Sequence, residues 1–409
     1  VKSHKIINDP VYGFINIPSE LIFAIIDHPY FQRLRRIKQL GLTDYVYPGA
    51  LHTRFHHAIG AMHLMSVTLD HLRNKGIEID DREYESALIA ILLHDIGHGP
   101  FSHALEFSLL KNISHESISR LFIIELNKQF GSQLDLALRI FNGNYERKFF
   151  HQLVSSQLDI DRLDYLQRDC FFTGVSEGTI GADRIIKMMH VKDDQLVIEE
   201  KGIYSIENFL SARRLMYWQV YLHKTTVSAE KMLINLILRA KFLQKSGSDL
   251  PGTESLLYFL SNDILFDDFE TNPEVLHHFA ELDDFDIWGG LKLWKKKGDY
   301  VLRNISDMFL TRNLFKITLS NEPFGEMEIM KMKQKIQERF GIPELDVPYF
   351  FSSGIISNHA YAAKKNIFVL TKKGEVIDVA LAADLPNIKA MSKIVKKHYA
   401  CRAKNLTLH

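Results

Sequence analysis

The chain has 409 residues, more than one domain usually takes, so one large domain with a smaller appendage is the expected plan. Apolar residues make up 46% and charged residues 24%, and 50 basic against 50 acidic side chains leave no net charge to favour a dedicated nucleic-acid binder. Cys170 and Cys401 are too few for a disulfide framework, no apolar stretch approaches bilayer length, and the first residues carry no signal-peptide pattern, so a soluble cytoplasmic protein is expected.

Residues 1–17 read as an extended entry, Lys5-Ile-Ile-Asn8-Asp9-Pro10 followed by Val-Tyr-Gly13-Phe-Ile-Asn-Ile. From Pro18 to about Lys245 the pattern is overwhelmingly helical, with clear segments at Leu21–Asp27, Phe31–Leu40, Ser114–Lys128 and Ile206–Leu243. A break at His190–Lys201, around Asp193-Asp194, predicts a β-hairpin. Gly247–Gly252 reads as a hinge or linker, and helices resume from Thr253 to about Arg339. After Pro343 come two short β-branched strands around Lys372-Lys373-Gly374, then a final helix near Pro386–Tyr399. The expected fold is mainly α: a helical core with short β-hairpins over 1–245, and a smaller α+β region over 246–409, structural or regulatory in role.

His94-Asp95 closes the apolar run Ala87–Leu93 and is followed by Gly97, His98, Gly99 and Pro100. An imidazole and a carboxylate at the end of a buried helix need a partner. A divalent metal suits both; a metal-free His–Asp hydrogen bond is the bland alternative for the pair alone. Upstream, Arg54 and His57 lie three apart on one helix face. Downstream, Asp161, Tyr165 and Asp169 are spaced by four and share one stripe.

Around these elements the residue types suit phosphate chemistry. Arg54 and Arg162 are fit for bidentate phosphate contacts. His98, His103, Glu106 and His115-Glu116 offer acid–base groups that work near neutral pH. Arg213, Tyr217, Tyr221 and Lys224 recur at three and four, placing cations and aromatic rings on one face, as a nucleotide requires.

The order His57, His94-Asp95, Asp161 resembles the ligand order of the HD superfamily of metal-dependent phosphohydrolases. With Lys5–Pro10, Phe31-Gln32-Arg33-Leu34-Arg35-Arg36-Ile37-Lys38-Gln39-Leu40-Gly41, Tyr47-Pro48-Gly49-Ala50, the run from His94 to His103, Arg168-Asp169 and Tyr221-Leu-His223-Lys224, the chain resembles the HD-domain deoxynucleoside triphosphate (dNTP) triphosphohydrolases, bacterial and mammalian. These motifs are spread over residues 5–225; beyond them Arg312-Asn-Leu-Phe-Lys316 is the clearest trace.

The resemblance implies the reaction dNTP + water → deoxynucleoside + tripolyphosphate. It implies His57, His94, Asp95 and Asp161 as ligands of a divalent metal (Mn, Mg, Fe or Zn). His103, supported by Glu106 and His115, would protonate the departing O5′. Arg54, His98, Arg162 and Arg213 would hold the triphosphate, and Gln39 and Asp169 the 3′-hydroxyl. Tyr165 and Tyr221 would pack on the sugar, with Leu40 and Tyr217 also lining the substrate pocket. Arg162 stands where the mammalian relative has Lys, and Leu163 replaces an aromatic. An activating nucleotide is implied at Lys5, Asn8, Asp27, Gln32 and Arg35, with Arg184 and Arg312, and with it a homo-oligomer, dimer or tetramer. A preference for dGTP or a broad dNTP range is expected; no membrane or nucleic-acid partner is. Two other readings stay open. One is another HD phosphohydrolase: a 5′-nucleotidase, a cyclic-nucleotide phosphodiesterase or an alarmone hydrolase. The other is a nucleotide-sensing module.

Overall fold

A computed structural model of the chain describes residues 5–102, 105–110, 113–358, 366–382 and 395–404. It opens with an antiparallel hairpin, β1 (Lys5–Asp9) and β2 (Gly13–Ile17), whose register sets Lys5 opposite Ile17 and Asp9 opposite Gly13. Gly13 closes the turn at φ +74°, a backbone conformation that suits glycine. Alternation along β2 buries Ile15 and Ile17 against the helices and leaves Phe14 outside.

Helices then build the core. The Asp81–Leu92 helix begins at a reciprocal cap: Asp80 accepts from the Glu83 amide at 2.7 Å, and Glu83 accepts from the Asp80 amide at 3.0 Å. Ala87 through Leu93 are all buried, so this helix runs inside the molecule and delivers His94-Asp95 to its interior end. The Arg54–Asn74 helix packs beside it, and the Ile160–Thr173 helix crosses the latter. At Gly60 the two helices lie so close that an added Cβ would stand 2.0 Å from Arg168 Nη2 and 2.2 Å from Asp164 Oδ1.

The mainly helical fold expected from the sequence is the one observed, and the hairpins at β1–β2, at β3 (Met189–Lys192) with β4 (Gln195–Glu199), and around Gly374 are present. Several expectations need correction. Phe31–Leu40 is not one helix. A four-residue helix, Pro29–Gln32, passes into a 3-10 turn, Arg33–Arg36, and Lys38 then bridges to Thr53, because Arg33 points into the core instead of along an exposed face. Ile206–Leu243 is broken: the Ile203–Met216 helix widens into a π turn at Tyr217–Tyr221, and a new helix, Lys224–Lys245, starts at the His223 cap.

Between Thr253 and Arg339 the helices are interrupted by β5 (Lys316–Ser320). That strand is the edge of a three-stranded antiparallel sheet ordered β5–β9–β6, with β6 at Phe351–Asn358 and β9 at Val395–Arg402. The expected final helix Pro386–Tyr399 therefore fails over Val395–Tyr399, which is strand; its earlier part lies outside the described residues. The strands around Gly374, β7 (Phe368–Leu370) and β8 (Val376–Asp378), join β3–β4 in a four-stranded sheet through a parallel β4–β7 pair.

Residues beyond 245 fix the backbone near His94-Asp95. Fully buried Arg33 donates to the carbonyls of Leu282 (2.8 Å), Ile96 (3.2 Å) and His98 (2.6 Å). Asp284 accepts the amides of Lys38 (2.9 Å) and Phe101 (2.6 Å), and Asp283 pairs with Arg36.

Candidate active site

Three helices bring His57, His94, Asp95 and Asp161 together. His57 Nε2 lies 3.3 Å from His94 Nε2, 3.1 Å from Asp161 Oδ1 and 3.6 Å from Asp95 Oδ2. His94 Nε2 lies 3.4 Å from both Asp161 Oδ1 and Asp95 Oδ1.

The outer nitrogens decide what this cluster wants. His57 Nδ1 donates to Asp164 at 2.7 Å, and His94 Nδ1 donates to the Ile91 carbonyl at 2.5 Å. With those nitrogens protonated, both Nε2 lone pairs face one another and two carboxylates across about a hydrogen-bond length. Such a set repels itself unless a positive charge sits within it. Burial pushes His57 down, but hydrogen bonds to Asp161 and Asp164 outweigh it and carry the imidazole up to about 10. Asp95 and Asp161 raise His94 against its burial. His57, His94 and Asp161 bring donor atoms close enough together to hold one metal ion, and Asp95 oxygens lie 3.6 Å and 3.4 Å from the two imidazole Nε2 atoms, a donor set that fits a divalent cation.

A second cluster adjoins it. His98 and His115 stack with centroids 3.9 Å apart and planes at 18°. His115 Nδ1 donates to Glu106 Oε1 at 2.8 Å, and His98 Nε2 lies 3.4 Å from Asp95 Oδ1. Parallel rings do not aim two lone pairs at one ion, and the Arg54 guanidinium already pairs with Asp95. The arrangement suits proton handling. Burial, with Arg54 and His115 close by, holds His98 well below the usual imidazole range; Glu106 outweighs burial at His115 and raises it. Neighbouring groups with values driven apart are an acid–base pair in form. His103 lies outside the described residues.

Arg54 also donates to Ser102 Oγ at 3.0 Å. Arg162 pairs with Asp159, the cap of its own helix, and Arg213 donates to Gln157 Oε1 at 3.0 Å. The Nε atoms of Arg162 and Arg213 and the Gln39 Oε1 atom are buried without a hydrogen-bond partner among the described residues. Buried polar atoms left this way call for a ligand or water to complete them. Asp169 accepts from Tyr221 at 2.7 Å and from His52 at 2.7 Å, and the Tyr165 and Tyr221 rings meet edge to face at 6.1 Å. Tyr217 meets Tyr221 at 5.3 Å, so the π turn keeps the two rings together; Leu40 is half-buried in the segment beside Gln39.

The expected regulatory residues divide. Lys5 lies over the Phe23 ring at 4.6 Å, on the Glu20–Asp27 helix that ends at exposed Asp27. Gln32 donates to Ile26 O at 2.8 Å and accepts from Arg35 at 2.8 Å, while Asn8 is exposed on β1. Arg184 binds Ser205 and the Lys201 carbonyl, and Arg312 binds the Tyr45 carbonyl; no hydrogen bond or ion pair among the described residues joins either to the first group.

Reading the sequence missed His52, Asp164, Arg168 and Asp9, which back the site from behind. Asp164 and Arg168 had a visible signal, since each follows Asp161 by a helix turn or two; Asp9 stood inside the Lys5–Pro10 motif without a role of its own, and His52 had no signal.

Residues 54–169 match the HD domain model and residues 180–246 the HD associated region. A crystal structure of a phosphohydrolase from Bacteroides thetaiotaomicron is 52% identical, covers 98% of this chain and 100% of its own, and superposes with a TM-score of 0.94. The Bacillus subtilis protein YwfO is 33% identical over 93% of this chain and 88% of its own length. A Dictyostelium discoideum homologue of deoxynucleoside triphosphate triphosphohydrolase SAMHD1 is 34% identical over 67% of this chain and 56% of that protein, so the chain spans just over half of that relative. The chain belongs to the HD-domain family of phosphohydrolases. No helix among the described residues is long and apolar enough to cross a membrane.

Proposed function

We propose that the protein hydrolyses dNTPs to deoxynucleoside and tripolyphosphate. One observation carries this choice over other HD activities: the Ile160–Thr173 helix presents Asp161 to the metal cluster and, two turns on, Asp169 to Tyr221 and His52. A carboxylate with a phenol beside it, fixed about 12 Å along a helix from a metal ligand, suits a sugar hydroxyl held at a set distance from a phosphate.

His57, His94, Asp95 and Asp161 would hold the cation, which supplies positive charge and Lewis acidity at the α-phosphate. Arg54, Arg162, Arg213 and His98 bind the triphosphate, and the unpartnered Nε atoms of Arg162 and Arg213 are free to do so. Gln39 and Asp169 take the 3′-hydroxyl, while Tyr165, Tyr221, Tyr217 and Leu40 enclose the sugar and its surroundings. Water forms the new bond to the α-phosphorus, the bond to O5′ breaks, and O5′ takes a proton. We assign that proton to His103, with the hydrogen-bonded pair His115 and Glu106 in a supporting role.

The same reading places an activating nucleotide at Lys5, Asn8, Asp27, Gln32 and Arg35. Arg184 and Arg312 would enter from elsewhere, as a dimer or tetramer permits. It also assigns residues 246–409 a supporting role around a core spanning 1–245.

Anion-exchange product analysis tests the proposal, with each dNTP, Mn or Mg, a second nucleotide present or absent, and Asp161→Ala as control. Deoxynucleoside plus tripolyphosphate, lost in the control, supports it. Monophosphate plus pyrophosphate, or no turnover of any dNTP, rejects it in favour of another HD phosphohydrolase.

A further inference from the structure

Behind His57 runs a chain of charges that ends in the N-terminal hairpin. His57 Nδ1 donates to Asp164 Oδ2 at 2.7 Å. Arg168 grips the same carboxylate with Nε at 2.9 Å and Nη2 at 3.0 Å. Its far side holds Asp9, with Nη1 at 2.7 Å and Nη2 at 3.3 Å. Asp9 is 3% exposed, and Arg168, Asp164 and His57 are at 0%. The Asp9 carboxylate also closes the β1–β2 turn by accepting the amides of Val11 (2.9 Å) and Tyr12 (3.0 Å). Space is kept for the guanidinium by Gly60, and the Tyr12 ring covers it at 5.4 Å.

We propose that Asp9 is a positioning residue for the cation site, and that the β1–β2 hairpin and the bound cation stabilise each other through Arg168, Asp164 and His57. The inference rests on the reading of His57 as a metal ligand. One guanidinium shared by two carboxylates leaves Asp164 with negative charge to place on the His57 Nδ1–H bond, which makes Nε2 a better donor to a metal. Without the Asp9 charge, Arg168 turns wholly to Asp164 and quenches it. In a dry interior there is no solvent to soften that change. Coupling of this kind is reciprocal, so a cation at His57 must tighten the turn that Asp9 closes.

The test uses the full chain and Mn2+ alone. Equilibrium dialysis measures the Mn2+ Kd of wild type, Asp9→Asn and Asp9→Glu, with circular dichroism to verify folding. The expected result is a Kd weakened ~10–100-fold in Asp9→Asn and partly restored in Asp9→Glu. In wild type, Mn2+ should slow hydrogen exchange at the Val11 and Tyr12 amides several-fold more than at the amides of β5. If Asp9→Asn does not fold, this exchange measurement decides alone. An unchanged Kd in folded Asp9→Asn, or Val11 and Tyr12 amides indifferent to Mn2+, overturns the proposal while leaving the metal centre standing. A wild type that binds no Mn2+ overturns both.

Discussion

His52 Nε2 donates to Asp169 Oδ1 at 2.7 Å, and both side chains are buried. The imidazole is stacked on Phe172 at 4.5 Å and cannot swing away. Tyr221 occupies the other Asp169 oxygen, so the carboxylate is held at both oxygens and keeps lone pairs to spare. His52→Gln should loosen this orientation. On the proposed reading KM for a dNTP rises about tenfold, by the weight of one charge-assisted hydrogen bond, and kcat changes less. Kinetics with a 2′,3′-dideoxynucleoside triphosphate supply the check: that substrate should lose nothing further in the variant. An equal loss with both substrates would assign His52 to general packing.

Arg54 bridges Asp95 and Ser102, one contact from the metal cluster and one from the loop carrying His98. A lysine there keeps the charge and gives up the planar fork. Arg54→Lys should retain wild-type metal content and lose about a hundredfold in kcat/KM, as removal of an oriented transition-state donor does. Metal analysis beside steady-state kinetics separates the effects; a variant purified without metal would show that Arg54 serves the ligand Asp95 and not the phosphates.

What the sequence disclosed follows from the distance over which each residue acts. His57, Asp161, Tyr165 and Asp169 were readable because helical spacing places them, and His94-Asp95 because an apolar run so plainly buries it. The roles of His52, Asp9 and Arg33 were not readable, although Asp9 and Arg33 stand in the motifs that carry the resemblance, because their partners are remote. His52 meets Asp169 after 117 residues, Asp9 meets Arg168 after 159, and Arg33 meets Leu282 after 249. Arg33 also misled the helix reading of Phe31–Leu40: in a pattern an arginine reads as surface, whereas here three buried carbonyls recruit it inward. The β5–β9–β6 sheet escaped for a related reason. Lys316–Ser320 pairs only with a strand some eighty residues later, so nothing local marks it as an edge.

Asp284 ties the C-terminal helices to the Lys38 and Phe101 amides, and burial pushes its carboxyl up to about 6. Its unfolded value is near 3.9. The folded protein therefore binds the proton more tightly, and the stabilisation is fully present below about pH 4 and lost as pH rises through about 6. The whole effect amounts to about 3 kcal/mol. Asp284→Asn removes the titration whatever its constant offset. Urea denaturation with chelator present should show wild type gaining on the variant as pH falls from 7.5 to 4.5, and a pH-independent gap would reject the assignment.

Gly60 offers the most direct test of how closely the two helices must approach. A Cβ there would meet Arg168 Nη2 at 2.0 Å and Asp164 Oδ1 at 2.2 Å. The guanidinium is the end of a long side chain, but it cannot retreat, because Asp9 and Asp164 hold it on both sides. Gly60→Ala ordinarily helps a helix by about 1 kcal/mol. Here overpacking costs on the order of 1–3 kcal/mol or more and disorders a buried ion pair besides, so the sign reverses. The variant should melt below wild type and bind Mn2+ more weakly, since displacing Arg168 disturbs the Asp164–His57 bond. Gly76→Ala, where no atom lies within 4 Å but φ is +86°, is the comparison. It should lower the melting temperature through backbone strain alone and leave the Mn2+ Kd unchanged. A Gly60→Ala protein as stable as wild type would mean that the helices can part without loss.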